Sequence, residues 1–293
     1  MHVLVTGAGG FSGAEVVLGL LARGHRVTAV VRSGRGRLPE NAGSAGELTV
    51  LAGDLSVDLA LPVKIDAIVH AAGRSPGRGV TAEEMVRDNV LATKRLVLHA
   101  RNAGVRKFVL FSSLSVYGRI ETSVVDENTP VREPYIYGQT KRQAEELVAA
   151  KENAFSSLAL RLPGIIGRGS VRNWLTNLQA AAREGRDITV FNPDTPFNNA
   201  VHVADLTRFI SGLLERDWQG ADAVTVGAAG EIAVGDAVQL LVNAFGDRSS
   251  MRREQSPMPS FVISSRRARD RYGYEAMNIK AMLLQFAAEN ANS

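Results

Sequence analysis

Residues 2–6, His-Val-Leu-Val-Thr, form a short, mostly β-branched apolar run that stops at a cluster of glycines. A run of this length bounded by glycine predicts a buried strand. Residues 11–23 are rich enough in Ala, Leu and Val to predict a helix, and after Gly24-His25 a second strand is predicted over 26–31. The alternation continues, with strands expected at 48–51, 67–70, 107–111 and 157–160 and helices at 83–102 and 137–151. Strands alternating with helices predict an α/β fold, a doubly wound parallel sheet with helices on both faces. Beyond Arg161 the rhythm changes to a helix around 174–184, turns such as Asn192-Pro193-Asp194 and short mixed elements, with no repeat or low-complexity segment.

The first turn carries candidate chemistry. Thr6-Gly7-Ala8-Gly9-Gly10-Phe11-Ser12-Gly13 joins strand to helix. Glycines at 7, 10 and 13 permit a tight turn and let a pyrophosphate approach main-chain N–H groups at the positive end of the helix. The plain alternative is a βα turn without a ligand, but the position between a buried strand and a helix favours dinucleotide binding. At the end of the second strand, where an NAD site would place a carboxylate for the ribose hydroxyls, the chain has Val31-Arg32. With no carboxylate there and a guanidinium ready for a 2′-phosphate, NADP is expected ahead of NAD. Arg35 and Arg37 could assist, or simply be solvated.

A second pattern is Tyr137-Gly138-Gln139-Thr140-Lys141. Positions four apart share a helix face, so the Lys ammonium can lie near the phenol and favour its phenolate. Such a Tyr can pass a proton to or from a substrate oxygen while a hydride moves at the carbon. Most Tyr-x-x-x-Lys pairs are ordinary exposed helix residues; the glycine turn upstream reverses that reading here. Tyr117 and Tyr135 are other candidate acids, but only Tyr137 has the Lys one turn on.

Further motifs follow in order: Gly53-Asp54-Leu55, His70-Ala71-Ala72-Gly73, Asn89-Val90, Phe111-Ser112-Ser113-Leu114-Ser115-Val116-Tyr117-Gly118, Arg161-Leu162-Pro163-Gly164 and His202-Val203-Ala204-Asp205. Taken with the glycine turn and the Tyr137/Lys141 pair, nearly the whole chain resembles the extended short-chain dehydrogenases/reductases, the NAD-dependent epimerase/dehydratase group. The resemblance implies a Rossmann domain over 1–162, with later segments crossing back, and a smaller substrate-binding lobe mainly over 163–293. It also implies a cofactor set. Gly7, Gly10, Phe11, Ser12 and Gly13 would line the dinucleotide, Arg32 its ribose, Asp54 the adenine amine and Leu55 the ring beside it. Ala71, Ala72 and Gly73 would pass beneath the cofactor, with Asn89 on the helix behind the site and Pro163 completing the set. Ser113 would hydrogen-bond the substrate oxygen beside Tyr137, with Ser112 and Ser115 as register alternatives, and Lys141 would also hold the nicotinamide ribose. His70 reads as a strand-end packing residue, and His202 as ordering a connection with Asp205. His2, His25 and His99 lack ligand spacing, so no metal is expected.

Relatives of this kind most often act on nucleotide-linked sugars, whose diphosphate needs basic or amide donors. Arg168, Arg172, Asn173, Arg186, Asn198 and Asn199 are candidates here. Many epimerases carry an Arg shortly before the His-Val segment, whereas this chain has Phe197-Asn198-Asn199-Ala200; the Asp-Glu pair of 4,6-dehydratases is replaced by Leu114-Ser115. An NADP-leaning site and a rather short second lobe favour NADPH-dependent reduction of a keto group on a nucleotide-linked deoxysugar. The alternatives are a nucleotide-sugar epimerase with retained NAD, a carbonyl reductase of the flavonol or steroid type, and a non-catalytic dinucleotide-sensing regulator.

Composition narrows the setting. With 293 residues, 45% of them hydrophobic, the chain can build one large domain or a large and a small lobe. The absence of cysteine excludes disulfides and thiol catalysis. No apolar run is long enough to span a bilayer and the N-terminus passes straight into a strand, so a cytoplasmic protein without a membrane partner is expected. A net charge of +4 without an aromatic-basic stripe gives no reason to expect nucleic acid. The resemblance implies a homodimer through the helices at 83–102 and 137–151.

Overall fold

The computed structural model describes residues 1–39, 46–57, 59–246 and 248–291. Seven strands, β1 (His2–Thr6), β2 (Arg26–Val31), β3 (Leu48–Ala52), β4 (Ala67–His70), β5 (Lys107–Ser113), β6 (Ser156–Leu162) and β7 (Ala221–Thr225), form one sheet ordered β7-β6-β5-β4-β1-β2-β3. β1 lies between β2 and β4 and runs parallel to both, with Thr6 opposite Val30 on one side and His70 on the other. β2 with β3 and β4 with β5 are parallel as well. The strand order therefore reverses between β1 and β4, the switch point where open α/β sheets bind ligands beyond their carboxyl ends. The expected doubly wound sheet is the fold observed.

Burial on both faces explains the unbroken apolar runs: Val3, Leu4, Val5, Ile68, Val69, Phe108 and Val109 are all 0% exposed. α1 (Phe11–Ala22) follows the glycine turn directly. The helix expected at 83–102 differs in its course. It begins at a capping box, in which Thr81 Oγ1 accepts from the Glu84 amide and the Glu84 carboxylate accepts from the Thr81 amide. It is then split into α2 (Ala82–Val86) and α3 (Ala92–Asn102) by a π-helical turn over Arg87–Leu91. The wider turn accompanies two consecutive buried polar side chains, Asp88 and Asn89, and π-turns of this kind occur frequently at functional sites. α4 (Ile136–Val148) packs on β5 and on the short 3₁₀ turn Leu114–Tyr117 that ends it.

The chain forms two compact units. The first comprises Met1–Arg119, Val131–Arg161 and Thr207–Val224. It is built around Leu4, Ile68, Leu96, Phe108, Leu110 and Ala144, with Phe108 and Phe155 stacked at 5.4 Å. The second comprises Ile120–Pro130, Leu162–Leu206 and Thr225–Ser293. There α5 (Trp174–Glu184) is followed by α6 (Val203–Glu215), along which the chain passes back to the first unit, then by α7 (Val234–Phe245), α8 (Arg266–Tyr272) and α9 (Ile279–Asn290). Its core gathers Leu175, Leu178, Leu241, Phe245, Leu283 and Phe286. Short parallel pairs frame it, Gly164–Ile166 with Ala200–His202 and Ile188–Phe191 with Met251–Glu254. Among the described residues, no helix is long and apolar enough to cross a membrane and no group of three or more His, Asp or Glu is placed to hold a metal ion.

Candidate active site

The glycine turn forms a cradle at the end of β1. Gly7 has φ +67°, and a Cβ there would lie 2.6 Å from the Ala72 nitrogen. A Cβ on Gly13 would strike the Gly7 carbonyl oxygen. Only glycine lets these two segments and the start of α1 come so close. Gly10 is the N-cap of α1 and, having no side chain, makes no capping hydrogen bond to the positive helix end beside Phe11, Ser12 and Gly13. An uncapped helix start walled by backbone fits the pyrophosphate of a dinucleotide. From β4, Ala71 donates its N–H to the Thr6 carbonyl and Ala72 to Thr6 Oγ1, both at 3.3 Å, which lays the small residues 71–73 along the cradle. At the end of β3, Asp54 accepts the Ser56 amide at 2.8 Å through Oδ1; that bond holds the carboxyl below its usual range and keeps it ionised. Leu55 packs against the core of the first unit.

Arg32 follows β2, but it does not stand alone. Its Nη2 donates to Asp88 Oδ2 at 2.8 Å. Arg74 Nε reaches the same oxygen at 2.9 Å and Arg87 Nε reaches Oδ1 at 2.8 Å. Burial opposes ionisation of Asp88, but the hydrogen bonds from Arg87 and Arg32 outweigh it and hold the carboxyl low. The end of β2 carries no carboxylate, as the sequence reads, but one reaches Arg32 from elsewhere in the chain, Asp88 on the π-turn. Arg35 donates to the Pro39 carbonyl within its own loop, and the Arg37 guanidinium lies 5.2 Å over the Phe11 ring.

Ser113, Tyr137 and Lys141, the expected catalytic trio, lie on the elements that meet where α4 packs on the end of β5. Lys141, 5% exposed, donates from Nζ to the Phe111 carbonyl at 2.6 Å. A Cβ on Gly138 would collide with the Ser115 carbonyl, so the first turn of α4, which carries Tyr137, lies directly on the 3₁₀ turn that Ser113 caps. Ser113 Oγ accepts the Ser115 amide at 3.2 Å. The neighbouring serines differ: Ser112 is buried and donates to Glu145 at 2.5 Å, whereas Ser115 is exposed. Tyr117 is fully buried with its hydroxyl accepting from Arg161 Nη1 at 2.9 Å, and Tyr135 projects into solvent at 88% exposure. Glu145 and Arg161 pair at 2.8 Å and so join α4 to β6.

Behind the trio runs a chain of hydrogen bonds. Thr93 Oγ1 donates to the Asn89 carbonyl, so it accepts from His70 Nε2 at 3.0 Å; His70 Nδ1 then accepts from Thr6 Oγ1 at 2.6 Å. This assigns a neutral His70. Complete burial, assisted by the Lys141 charge, pushes its pKa down to about 3. The imidazole is a tie between the strand ends and the π-turn. The Asn89 amide accepts from the Arg74 N–H at 2.6 Å and donates to the Arg74 carbonyl and to Thr140 Oγ1. It fixes the backbone beside Gly73, where a Cβ would lie 3.1 Å from Asn89 Oδ1 and 3.2 Å from Lys141 Nζ.

The expected substrate contacts lie in the second unit, as does Pro163, half-buried just after β6. Arg168 is exposed between Gly167 and Gly169, and Arg172 is exposed with a left-handed φ of +62°. Two of the expected amide contacts, Asn173 and Asn198, hydrogen-bond to main-chain groups of the second unit. Asn173 caps α5, accepting from the Thr176 amide at 2.9 Å and donating to the Ile165 carbonyl. Asn198 is 5% exposed and donates to the carbonyls of Ala228 and Ile263 while accepting from the Ile263 amide, so both its donors are spent. Arg186 pairs with Glu184. His202 bonds Glu289 at 3.1 Å and accepts the Ala204 amide, while Asp205 accepts the Met277 amide. Asp88, Arg74 and Glu145 were missed in the sequence, where the only signal was a charged residue beside each motif.

Residues 3–227 match the model of the NAD dependent epimerase/dehydratase family. The chain is 36% identical over 182 residues to a 3-beta-hydroxysteroid dehydrogenase of Mycolicibacterium neoaurum, a match covering 57% of this chain and 48% of that protein. It is 29% identical over 290 residues to UDP-glucose 4-epimerase 4 of Oryza sativa subsp. japonica, covering 83% and 75%. Among solved structures it is similar to MoeE5 in complex with UDP-glucuronic acid and NAD, at a TM-score of 0.81 and 28% identity over 99% of this chain and 98% of that one.

Proposed function

This chain belongs to the NAD-dependent epimerase/dehydratase family, and on that premise we propose that it is an NADPH-dependent reductase of a keto group on a nucleotide-linked deoxysugar. The observation carrying this reading is Lys141, held at the Phe111 carbonyl at the point where the Tyr137 turn meets the strand end bearing Ser113. Bound NADPH would supply the hydride to the carbonyl carbon. Ser113 Oγ–H would orient the carbonyl oxygen, and Tyr137 would give it the phenolic proton. Lys141, shielded from solvent and fixed in place, would stabilise the phenolate left behind. Arg32 at the end of β2 supports NADPH over NADH, and Arg168 and Arg172 are the donors offered to a sugar-linked diphosphate. We expect a cytoplasmic homodimer.

An epimerase that keeps its NAD is the second reading, favoured by the extent of the match to the rice enzyme and by the NAD in the MoeE5 complex. A steroid-type carbonyl reductase draws on the mycolicibacterial dehydrogenase, although less than half of that protein is matched. The deciding experiment is calorimetric titration of the purified protein with NADPH and NADH, after a denatured sample has been searched for co-purified nucleotide. Reversible, preferential NADPH binding with no retained nucleotide supports the reductase. Tightly held NAD overturns it in favour of the epimerase.

A further inference from the structure

Three guanidinium groups converge on the single carboxylate of Asp88. Its side chain is 1% exposed, whereas those of Arg32, Arg74 and Arg87 are 54%, 28% and 45% exposed. Both carboxylate oxygens accept, Oδ2 from Arg32 and Arg74 and Oδ1 from Arg87. With three guanidinium groups on one carboxylate, the cluster presents an excess of positive charge. Each arginine spends a single nitrogen on Asp88, so among the described residues the other guanidinium N–H groups of Arg32 and Arg74 remain to meet an anion. Both are pre-set. Arg32 leaves the end of β2, and the Arg74 main chain is clamped through its N–H and its carbonyl by the Asn89 amide.

We infer that Arg32 and Arg74, held in register by the buried Asp88, form a two-pronged site for the 2′-phosphate of the cofactor, with Asp88 as its positioning residue. The inference rests on the NADPH reading above and deepens it. A shared carboxylate between two cations lowers the cost of holding like charges together and removes the rotamer freedom that phosphate binding would otherwise have to quench. Arg74 is thereby a specificity residue on β4's side of the switch point, in addition to Arg32.

The test uses the intact protein and two probes that differ only in the 2′-phosphate, adenosine 2′,5′-bisphosphate and AMP. Wild type should bind the bisphosphate at least about tenfold more tightly. Arg74→Gln should erase about tenfold of that affinity while AMP binding stays within about twofold. Asp88→Asn should also reduce the preference, because Arg32 and Arg74 lose their common anchor; a melting curve for each variant verifies folding. Arg74→Gln alone decides if Asp88→Asn does not fold. Equal weakening of both probes by Arg74→Gln, or tighter bisphosphate binding by Asp88→Asn, overturns the inference and leaves the NADPH reading standing. A wild type that does not distinguish the probes overturns that reading itself.

Discussion

The ammonium of Lys141 donates to the main-chain carbonyl of Phe111 at 2.6 Å, two residues before Ser113. The bond crosses from helix to strand, and it sets the distance between the α4 face carrying Tyr137 and the strand end carrying Ser113. A Lys in that position is bound to the scaffold, the preorganisation on which its proposed electrostatic role would draw.

Replacing Tyr137 by Phe removes the proton donor and little else. Turnover should fall by about 10²- to 10⁴-fold, while NADPH binding by calorimetry stays unchanged. If the biological effect of the protein survives this substitution, a dinucleotide-sensing role without catalysis replaces the reductase.

Gly13→Ala places a methyl group against the Gly7 carbonyl, inside the cradle. Backbone on both sides leaves no flexible neighbour to yield, so dinucleotide affinity should fall by about tenfold or more, with a lower melting temperature. Unchanged affinity would remove the glycine turn from the cofactor site.

His70 gives the fold an acid-sensitive element. Its folded pKa, about 3, lies below the ordinary 6.5, so below pH 6.5 the unfolded chain takes up a proton that the native state refuses. The stabilisation is complete above pH 6.5 and is lost as the pH falls toward 3, at up to about 1.4 kcal/mol per pH unit. Urea unfolding of wild type and His70→Gln at several pH values should show that additional slope in wild type only.

The Glu145–Arg161 pair is nearly buried, with side chains 10% and 14% exposed. Glu145→Gln leaves a guanidinium without its counter-charge and should cost about 3–5 kcal/mol, whereas the double variant Glu145→Gln/Arg161→Met should cost clearly less. A double-mutant cycle in chemical denaturation measures the difference.

Asn198→Ala should act on stability rather than on substrate recognition. It orphans the carbonyls of Ala228 and Ile263 and the Ile263 amide, at about 1–3 kcal/mol for a buried unsatisfied group. A raised KM at unchanged melting temperature would restore Asn198 as a substrate contact.

Local pattern alone determined a good deal. Strands at 2–6, 26–31 and 67–70 and the helix at 174–184 coincide with the expected spans, because burial on both faces of a parallel sheet writes itself as an apolar run and helix periodicity needs only neighbouring residues. The glycine turn was legible for the same reason: glycine is required by the conformation at its own position. What lay beyond reach depends on partners far along the chain. Asp88 is 56 residues from Arg32, and Glu145 is 16 from Arg161; no local spacing announces either pair. The π-turn arises in a segment whose sequence reads as ordinary helix, and its two buried polar residues are met by Arg32, Arg74 and Thr140 from other elements as well as by Arg87 beside Asp88. Asn198 looks like a free donor in the sequence but gives both its N–H groups to the backbone of the fold, and Asn173 gives one. The sequence by itself determined the sheet, the glycine turn and the shared helix of Tyr137 and Lys141, all set by local sterics and periodicity. Tertiary structure decided which polar groups remain available to a ligand, because a hydrogen bond or a buried charge is settled by whichever partner the folded chain brings within about 3 Å.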